Sequence, residues 1–458
     1  MSSRLLGRLV HTVAPPGSSA SHARAVASLT NTFARHTHAH SANPGRLPFH
    51  PSRGVAGWTS QVGGRAGFQS PFRSQPITTT AAMASTHSIP IPASDVKTTL
   101  LVITSKEHLA GAQLAKLTST QEVLPLDKFN IHVGCSLEDF PEEVLNGGSK
   151  TADDNTTTTH PVALLWWFGD GKTMGDVLRK PVAKNIAWIH SASAGVEHLL
   201  KDTAITQSHV PLTNAKGAFS ASLGEWAIFS FLWFNKKVHA MRISQSKNEW
   251  MRAPVGMLSG KTVTIVGYGD IGRAVAVRAK ALGMHVTGMR RDPSKSSEDV
   301  NSRLITDCLE LNPQELKRQV GNSDFVLVSL PHTKSTENLF SRDVFAAMKP
   351  TAVFVNVGRG ATVDEEALID TLKNKNIAGA ALDVTKTEPL PKESELYRLE
   401  NCLLSFHTAD LTHDYFDLTL TVFKQHINAY LGEAVELSSS LDSLSAPMWN
   451  LVDKHAGY

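Results

Sequence analysis

Acidic residues are missing from the start of this chain. Neither Asp nor Glu occurs before Asp95, lysine is absent there too, and eight arginines are spread through residues 1–94. Ser, Ala, His, Gly and Pro fill most of the remainder. Such an arginine-bearing, acid-free composition is that of an organellar transit peptide, so residues 1–94 are expected to be a leader outside the folded domains. Within Met1–Val10, Arg4 and Arg8 stand one turn apart on a short amphipathic helix. That arrangement favours a mitochondrial address, with the chloroplast as the alternative. Met83 offers an internal start for an untargeted form.

Setting the leader aside also removes the basic excess. The whole chain carries 45 Lys and Arg against 42 Asp and Glu, a net charge of +3; without the leader 37 face 42, a net of −5. No basic stripe then remains for nucleic acid. Cysteine is scarce: Cys135, Cys308 and Cys402 are far apart and odd in number. They argue against both a disulfide framework and a zinc site and suit a reducing compartment, so no metal is expected. Long apolar runs are lacking as well. The most hydrophobic, Trp226–Phe234, has nine residues. That is too short to cross a bilayer and reads as a buried helix. No internal repeat is present.

The most informative positive feature is Thr262–Gly272. A run of apolar and β-branched residues reads as a buried parallel strand, and Gly267, Gly269 and Gly272 follow it in G-x-G-x-x-G spacing. A helical pattern then begins at Ile271, continues through Ala274, Val275, Val277 and Ala281, and stops at Gly283. His285–Met289 supplies a second strand. Strand, glycine turn, helix and strand together predict a dinucleotide site, with the phosphates on the N–H groups of the helix N-terminus. Gly267, Tyr268, Gly269, Asp270, Ile271 and Gly272 are its expected contacts. Eighteen residues after Gly272, where NAD-binding folds usually carry a ribose-binding acid, stand Arg290 and Arg291. Guanidinium groups there suit a 2′-phosphate and predict NADP(H), with NAD open. The competing assignment gives the ribose to Asp292.

Strand and helix patterns alternate along the rest of the chain. Strands are expected at Thr98–Ile103, Val162–Trp167, Trp188–Ile189, Phe325–Leu330, Ala352–Asn356, Ala378–Asp383 and Cys402–Ser405. Helices are expected at Ala221–Lys237 and Tyr415–Leu431. The predicted fold class is α/β: a Rossmann-type doubly wound parallel sheet plus a second, smaller flavodoxin-like α/β domain. The substrate domain is expected at 95–211, completed by 408–458, with the dinucleotide-binding domain at 212–407. The Asp- and Thr-rich stretch 151–159 reads as a surface loop.

Three segments follow predicted strands: Asn356–Gly360, Asp383–Leu390 and Ser405–Asp410. Sites in open parallel sheets form at the carboxyl ends of strands, so these segments are expected to share a crevice. They offer the cation, carboxylate and imidazole that reduction of a 2-oxo acid requires. Arg359 presents a permanently charged fork for a 2-oxo carboxylate. His407 can donate a proton as imidazolium, and Glu388 would favour that charged form.

With these motifs in order, the chain resembles the D-isomer-specific 2-hydroxyacid dehydrogenases over roughly residues 160–412. The resemblance rests on Ser193–Leu199, the glycine-rich turn, Leu330–Thr333, Asn356–Gly360 and the stretch from Leu382 to His407. It implies an Arg–Glu–His constellation at Arg359, Glu388 and His407, and a grip on the substrate carboxylate by N–H groups near Ala194 and Gly195. It further implies contacts of Asp383 with the nicotinamide carboxamide and of Leu330, Pro331 and Val357 with the cofactor. Trp166, with Trp167, falls where the family places a loop capping the substrate. Members with a Trp there and arginines after the second Rossmann strand are glyoxylate/hydroxypyruvate reductases using NADPH, the activity this resemblance implies. A homodimer through the helix from Ala221 is also implied. Two departures stand out: Phe406 replaces the Pro often found before the His, and Val384–Thr387 replaces the usual aromatic. Neither removes a catalytic group. A phosphoglycerate or D-lactate dehydrogenase remains an alternative, as does a cofactor-sensing corepressor-like protein. The 51 residues after His407 count against an appended regulatory domain, and the leader against a nuclear corepressor.

Overall fold

Two parallel sheets organise the protein in this computed structural model, which describes residues 97–119, 123–147, 149–150, 157–158, 161–431 and 450–457. The expected leader and Met83 lie outside the described residues, as does most of the 151–159 stretch. The first sheet contains β1 (Thr98–Thr104), β2 (Phe129–Gly134), β3 (Val162–Trp167), β4 (Ile186–Ser191) and β5 (Leu212–Asn214), in the order β2-β1-β3-β4-β5. That is the flavodoxin-like order. The second contains β6 (Thr262–Val266), β7 (His285–Arg290), β8 (Asp307–Glu310), β9 (Phe325–Val328), β10 (Val353–Asn356), β11 (Gly379–Leu382) and β12 (Cys402–Leu404). Its order, β8-β7-β6-β9-β10-β11-β12, is the doubly wound nucleotide-binding arrangement with one added edge strand. Every pairing in both sheets is parallel, with registers such as Ile265 opposite Gly288 and Val326 opposite Thr264.

Burial on both faces explains why these strands read as unbroken apolar runs. Val263, Ile265, Leu327 and Val355 face one core of the second sheet, while Val266, Val326, Val328 and Phe354 face the other. The first sheet repeats the pattern. Leu100, Val102, Leu165 and Trp167 lie on one side, Leu101, Ile103, Leu164 and Trp166 on the opposite side. Side chains alternate across a strand, so the adjacent tryptophans enter different cores.

Several expected boundaries move. Leu212–Asn214 pairs with β4 and belongs to the first sheet, so the sequence boundary at 211/212 cut off that sheet's last strand. Its three residues are too short to show a period. Strands β2 and β8 were missed because half-exposed edge strands carry mixed residues. The helix expected at Ala221–Lys237 is α1 (Ser220–Asn235); Lys237 adopts a left-handed conformation (φ 55°), after which α2 (Val238–Ser246) begins. Nor is α1 buried all round: Leu223, Ala227 and Phe231 enter the core, whereas Phe229 is 47% exposed. No described helix is long and apolar enough to cross a membrane.

The chain returns to the first sheet at its end. Helix α4 (Tyr415–Tyr430), named after α3 (Asp270–Ala281), buries Leu420, Phe423, Ile427 and Tyr430 in the core containing Leu100 and Trp188. Residues 450–457 continue this docking. Asn450 donates to the carbonyls of Asn214 and Lys216, and Leu451 bridges to Thr213.

Candidate active site

All strands of the second sheet are parallel, so the loops after β6, β9, β10, β11 and β12 leave from one edge. The turn after β6 is shaped by its glycines. Gly267 has φ +98°, and a Cβ there would meet the Ser329 backbone at 2.9 Å. The first helical bond of α3 runs from Arg273 N–H to the Gly269 carbonyl (2.8 Å). The N–H groups of Asp270, Ile271 and Gly272 therefore stand at an open helix terminus with its partial positive charge. Space in front of Gly269 is clear: a Cβ there would meet nothing within 4 Å. This cradle fits a pyrophosphate. Tyr268 is different from its neighbours. Its N–H bonds to Met289 O (2.8 Å), its hydroxyl to Asp299 Oδ2 (2.9 Å), and its ring is buried. Through these contacts Tyr268 supports the turn from beneath.

At the end of β7, Arg290 donates to Ser296 Oγ (2.8 Å). Arg291 is exposed beside it. Asp292 caps the following short helix, accepting from the N–H (3.1 Å) and hydroxyl (2.5 Å) of Ser294. Its carboxylate is engaged locally rather than offered to a ribose. Leu330 and Val357 are buried in the sheet's two cores, and the Pro331 carbonyl accepts from Thr336 Oγ1 (2.7 Å).

Arg359 is placed by its own loop. Buried Asn356 folds the turn, accepting from Gly358 N–H (3.0 Å) and donating to Arg359 O (3.1 Å). Glycine at 360 is required because a Cβ would come within 2.0 Å of the Thr385 backbone. The guanidinium then spans to the loop after β4. Nε donates to Glu197 Oε1 (2.9 Å), Nη2 to Glu197 Oε2 (3.3 Å), and Nη1 to Gly358 O (2.9 Å). Glycine at 195 makes room for this crossing: a Cβ there would lie 1.9 Å from Nη2. Ala194 and Gly195 therefore lie beside Arg359. Their N–H groups have no acceptor among the described residues, while the Ala194 carbonyl is fixed by Asn214 Nδ2 (2.7 Å).

His407 sits on the loop after β12. Its Nδ1 lies 2.7 Å from Glu388 Oε2, and Glu388 Oε1 accepts from Thr385 N–H (3.0 Å). The Glu388 hydrogen bond, outweighing burial, raises the His407 pKa above the usual imidazole value. Burial by itself would raise Glu388. The bonds from His407 and Thr385, with the nearby positive charges of His407 and Arg359, outweigh it and hold the carboxyl below its usual range. With Nδ1 tied to a carboxylate, Nε2 is left to face a reactant. Buried Asp383 holds this loop: its Oδ1 accepts from Ser405 Oγ (2.6 Å), Thr408 N–H (3.1 Å) and Ala409 N–H (3.1 Å). It thus has a task that the expected nicotinamide contact did not include.

Trp166 is largely enclosed. It is 6% exposed, its indole N–H donates to Gly169 O (2.9 Å), and its ring packs on His198 (4.6 Å). These contacts are those of core packing, and Trp167 is buried in the opposite core. Sequence reading missed Glu197, although it stands inside the Ser193–Leu199 motif. The available signal was a lone carboxylate in a small and apolar turn. Among the described residues, no group of three or more His, Cys, Asp or Glu could hold a metal.

Comparisons with known proteins agree on one family. Residues 228–409 match the profile "D-isomer specific 2-hydroxyacid dehydrogenase, NAD binding domain". A glyoxylate reductase of Thermococcus gammatolerans is 30% identical over 295 residues, covering 62% of this chain and 82% of that one. The glyoxylate reductase/hydroxypyruvate reductase of Mus musculus is 32% identical over 237 residues, 50% of this chain and 69% of the other. The D-3-phosphoglycerate dehydrogenase of Methanocaldococcus jannaschii is 33% identical over 269 residues, 58% of this chain; the match spans only 49% of that longer protein. For the Thermococcus litoralis glyoxylate reductase the span is 63%. Among solved structures, an NADPH-dependent glyoxylate/hydroxypyruvate reductase from Sinorhizobium meliloti, in complex with NADP and sulfate, superposes with a TM-score of 0.57 at 22% identity. That match covers 79% of this chain and 100% of that one. The chain belongs to the D-isomer-specific 2-hydroxyacid dehydrogenase family and carries its NAD-binding domain.

The His407–Glu388 pair makes a direct prediction. Glu388→Gln removes the charge that favours the imidazolium, so the His407 pKa should fall toward its ordinary value. Titration of the His407 ring by NMR in both proteins checks this. An unchanged value would show that the pair does not set the charge of the imidazole.

Proposed function

We propose that this protein is an NADPH-dependent reductase that converts a small 2-oxo acid, glyoxylate or hydroxypyruvate, to the D-2-hydroxy acid. The observation carrying this reading is the meeting of Arg359 and the His407–Glu388 pair on the edge that also bears the phosphate cradle. Glu197 occupies the Nε/Nη2 edge of Arg359, leaving the remaining Nη hydrogens for a substrate. That end, with the open N–H groups of Ala194 and Gly195, binds the carboxylate and polarises the C2 carbonyl. When bound, reduced nicotinamide supplies hydride equivalents to C2. His407 Nε2 delivers a proton to the carbonyl oxygen, and the raised pKa keeps that proton available above the usual imidazole range. Glu388 stabilises the charged ring and fixes its orientation. The reading is supported by relatives named glyoxylate reductase.

NADPH preference rests on Arg290 and Arg291 at the end of β7 and on the local engagement of Asp292. Initial rates of the chain lacking residues 1–94, with each 2-oxo acid, should be clearly faster with subsaturating NADPH than NADH. Arg290→Ala should narrow that preference by roughly tenfold, the scale of one lost charge-assisted contact. Equal use of both cofactors by the parent protein would overturn the arginine argument.

Arg359→Ala should lower kcat/KM by about a thousandfold or more, the scale of losing a charged group that binds and polarises the substrate. Cofactor affinity, followed by fluorescence titration, should be retained. Undiminished turnover would remove Arg359 from the catalytic assignment.

A second copy of the chain is the proposed partner. Phe229 on α1 and Met241 on α2 are 47% and 42% exposed, and Trp250 and Met257 in the following segment are 94% and 70% exposed. So much large apolar surface in one stretch suits a two-fold interface. Light scattering should give a dimer mass, reduced by Trp250→Asp. A monomeric parent protein would refute the assembly.

A further inference from the structure

Lys216 stands just beyond β5, where the chain leaves the first sheet, and its Nζ lies 3.2 Å from Asp270 Oδ2. Asp270 is the first residue of α3, so this ion pair joins the two sheets at the phosphate cradle. The base of the lysine is held from the interior. Asn214 Oδ1 accepts from Lys216 N–H (3.2 Å), and buried Asn450 donates from Nδ2 to Lys216 O (2.8 Å). Gly217 follows with φ +94°, a conformation that suits glycine. The pair itself remains wet, its side chains 52% and 37% exposed, so it adds little to stability. Its position matters more. Asp270 offers its N–H at the helix terminus where a phosphate is expected, yet it also carries a carboxylate. Covalent geometry keeps the Oδ atoms of an aspartate within about 4 Å of its own nitrogen, and a phosphate oxygen bonded to that N–H lies about 3 Å from it. A bound pyrophosphate would therefore be no more than about 7 Å from a like charge, inside the ~8 Å Debye length of physiological salt. The helix terminus favours each anion separately, but the two repel one another.

We propose that Lys216 completes the cofactor-phosphate site by neutralising Asp270, so that a dinucleotide's pyrophosphate enters a cradle with no unpaired carboxylate. The first sheet thereby lends a charge to the dinucleotide site of the second. Pyrophosphate is common to NADPH and NADH, so Lys216 acts on both alike, whereas Arg290 is assigned to the 2′-phosphate of NADPH. This role depends on the NAD-binding domain and not on which 2-oxo acid is reduced.

Fluorescence titration of NADPH and NADH onto the full chain tests this without turnover. Lys216→Met keeps the apolar stem and removes the charge. At low ionic strength it should raise the Kd of both cofactors about fivefold, the scale of one charge acting on a pyrophosphate at ~7 Å in water. Added salt should shrink the loss. In an Asp270→Asn background the same substitution should cost less than about twofold, because no carboxylate is left to neutralise. Unchanged Kd values in Lys216→Met would overturn the proposal. So would an equal loss in both backgrounds, the mark of a role that does not run through Asp270, or a loss confined to NADPH. Should the parent chain bind both cofactors but reduce no 2-oxo acid, the reductase reading fails, and these Kd ratios still decide the role of Lys216.

Discussion

A single carboxylate oxygen, Asp383 Oδ1, accepts three hydrogen bonds from the loop that follows β12. Burying a carboxylate is costly unless donors surround it. Here the donors are Ser405 Oγ and two backbone N–H groups on either side of the residues that matter. The interaction therefore works in both directions: the loop satisfies the carboxylate, and the carboxylate fixes the loop. His407 depends on this brace, because its backbone has φ 55° and Phe406 before it has φ 56°. Two consecutive left-handed residues would not persist in an unanchored loop.

The cation of the site is fixed by equivalent means from the first sheet. Arg359 reaches Glu197 across the space left by the missing Cβ of Gly195, and Gly360 lets its loop press on Thr385. A guanidinium has two edges that can meet a carboxylate bidentately. Glu197 takes the edge containing Nε, so only the outer nitrogens remain for another anion. Arg359 is thereby oriented before any substrate arrives. Preorganisation of this kind is where an enzyme gains most from a charged group, since little reorganisation is left for the reaction itself.

Much of this was legible in the sequence because parallel sheets buried on both faces write themselves as apolar runs. The strand–turn–helix–strand unit at 262–290 shows the same physics: glycines are forced wherever backbone approaches backbone. Edge strands were not legible. Phe129–Gly134 and Asp307–Glu310 are partly exposed, and Leu212–Asn214 is only three residues long. Arg359, Glu388 and His407 were singled out as candidates from segments after strands, but Glu197 was not. Its role exists only through a contact 162 positions away in the chain, which no local pattern encodes. Trp166 shows the converse. A tryptophan near a cleft suggests a ligand, whereas the alternation of β3 sends both tryptophans into cores and the Gly169 carbonyl satisfies the indole.

The same contrast explains how one scaffold can serve relatives with different substrates. The proposed hydrogen transfer to a C2 carbonyl would need a cation, a proton donor and a cofactor edge, and the groups assigned to it here are held by backbone turns, carboxylates and absent Cβ atoms. Such constraints are shared by the whole loop, so a substitution among them disturbs several groups at once. A Cβ at Gly195 or Gly360 would collide with Arg359 or with the Thr385 backbone, and loss of Asp383 would release Ser405, Thr408 and Ala409 together. Side chains outside this interlocked set can differ among relatives without disturbing it.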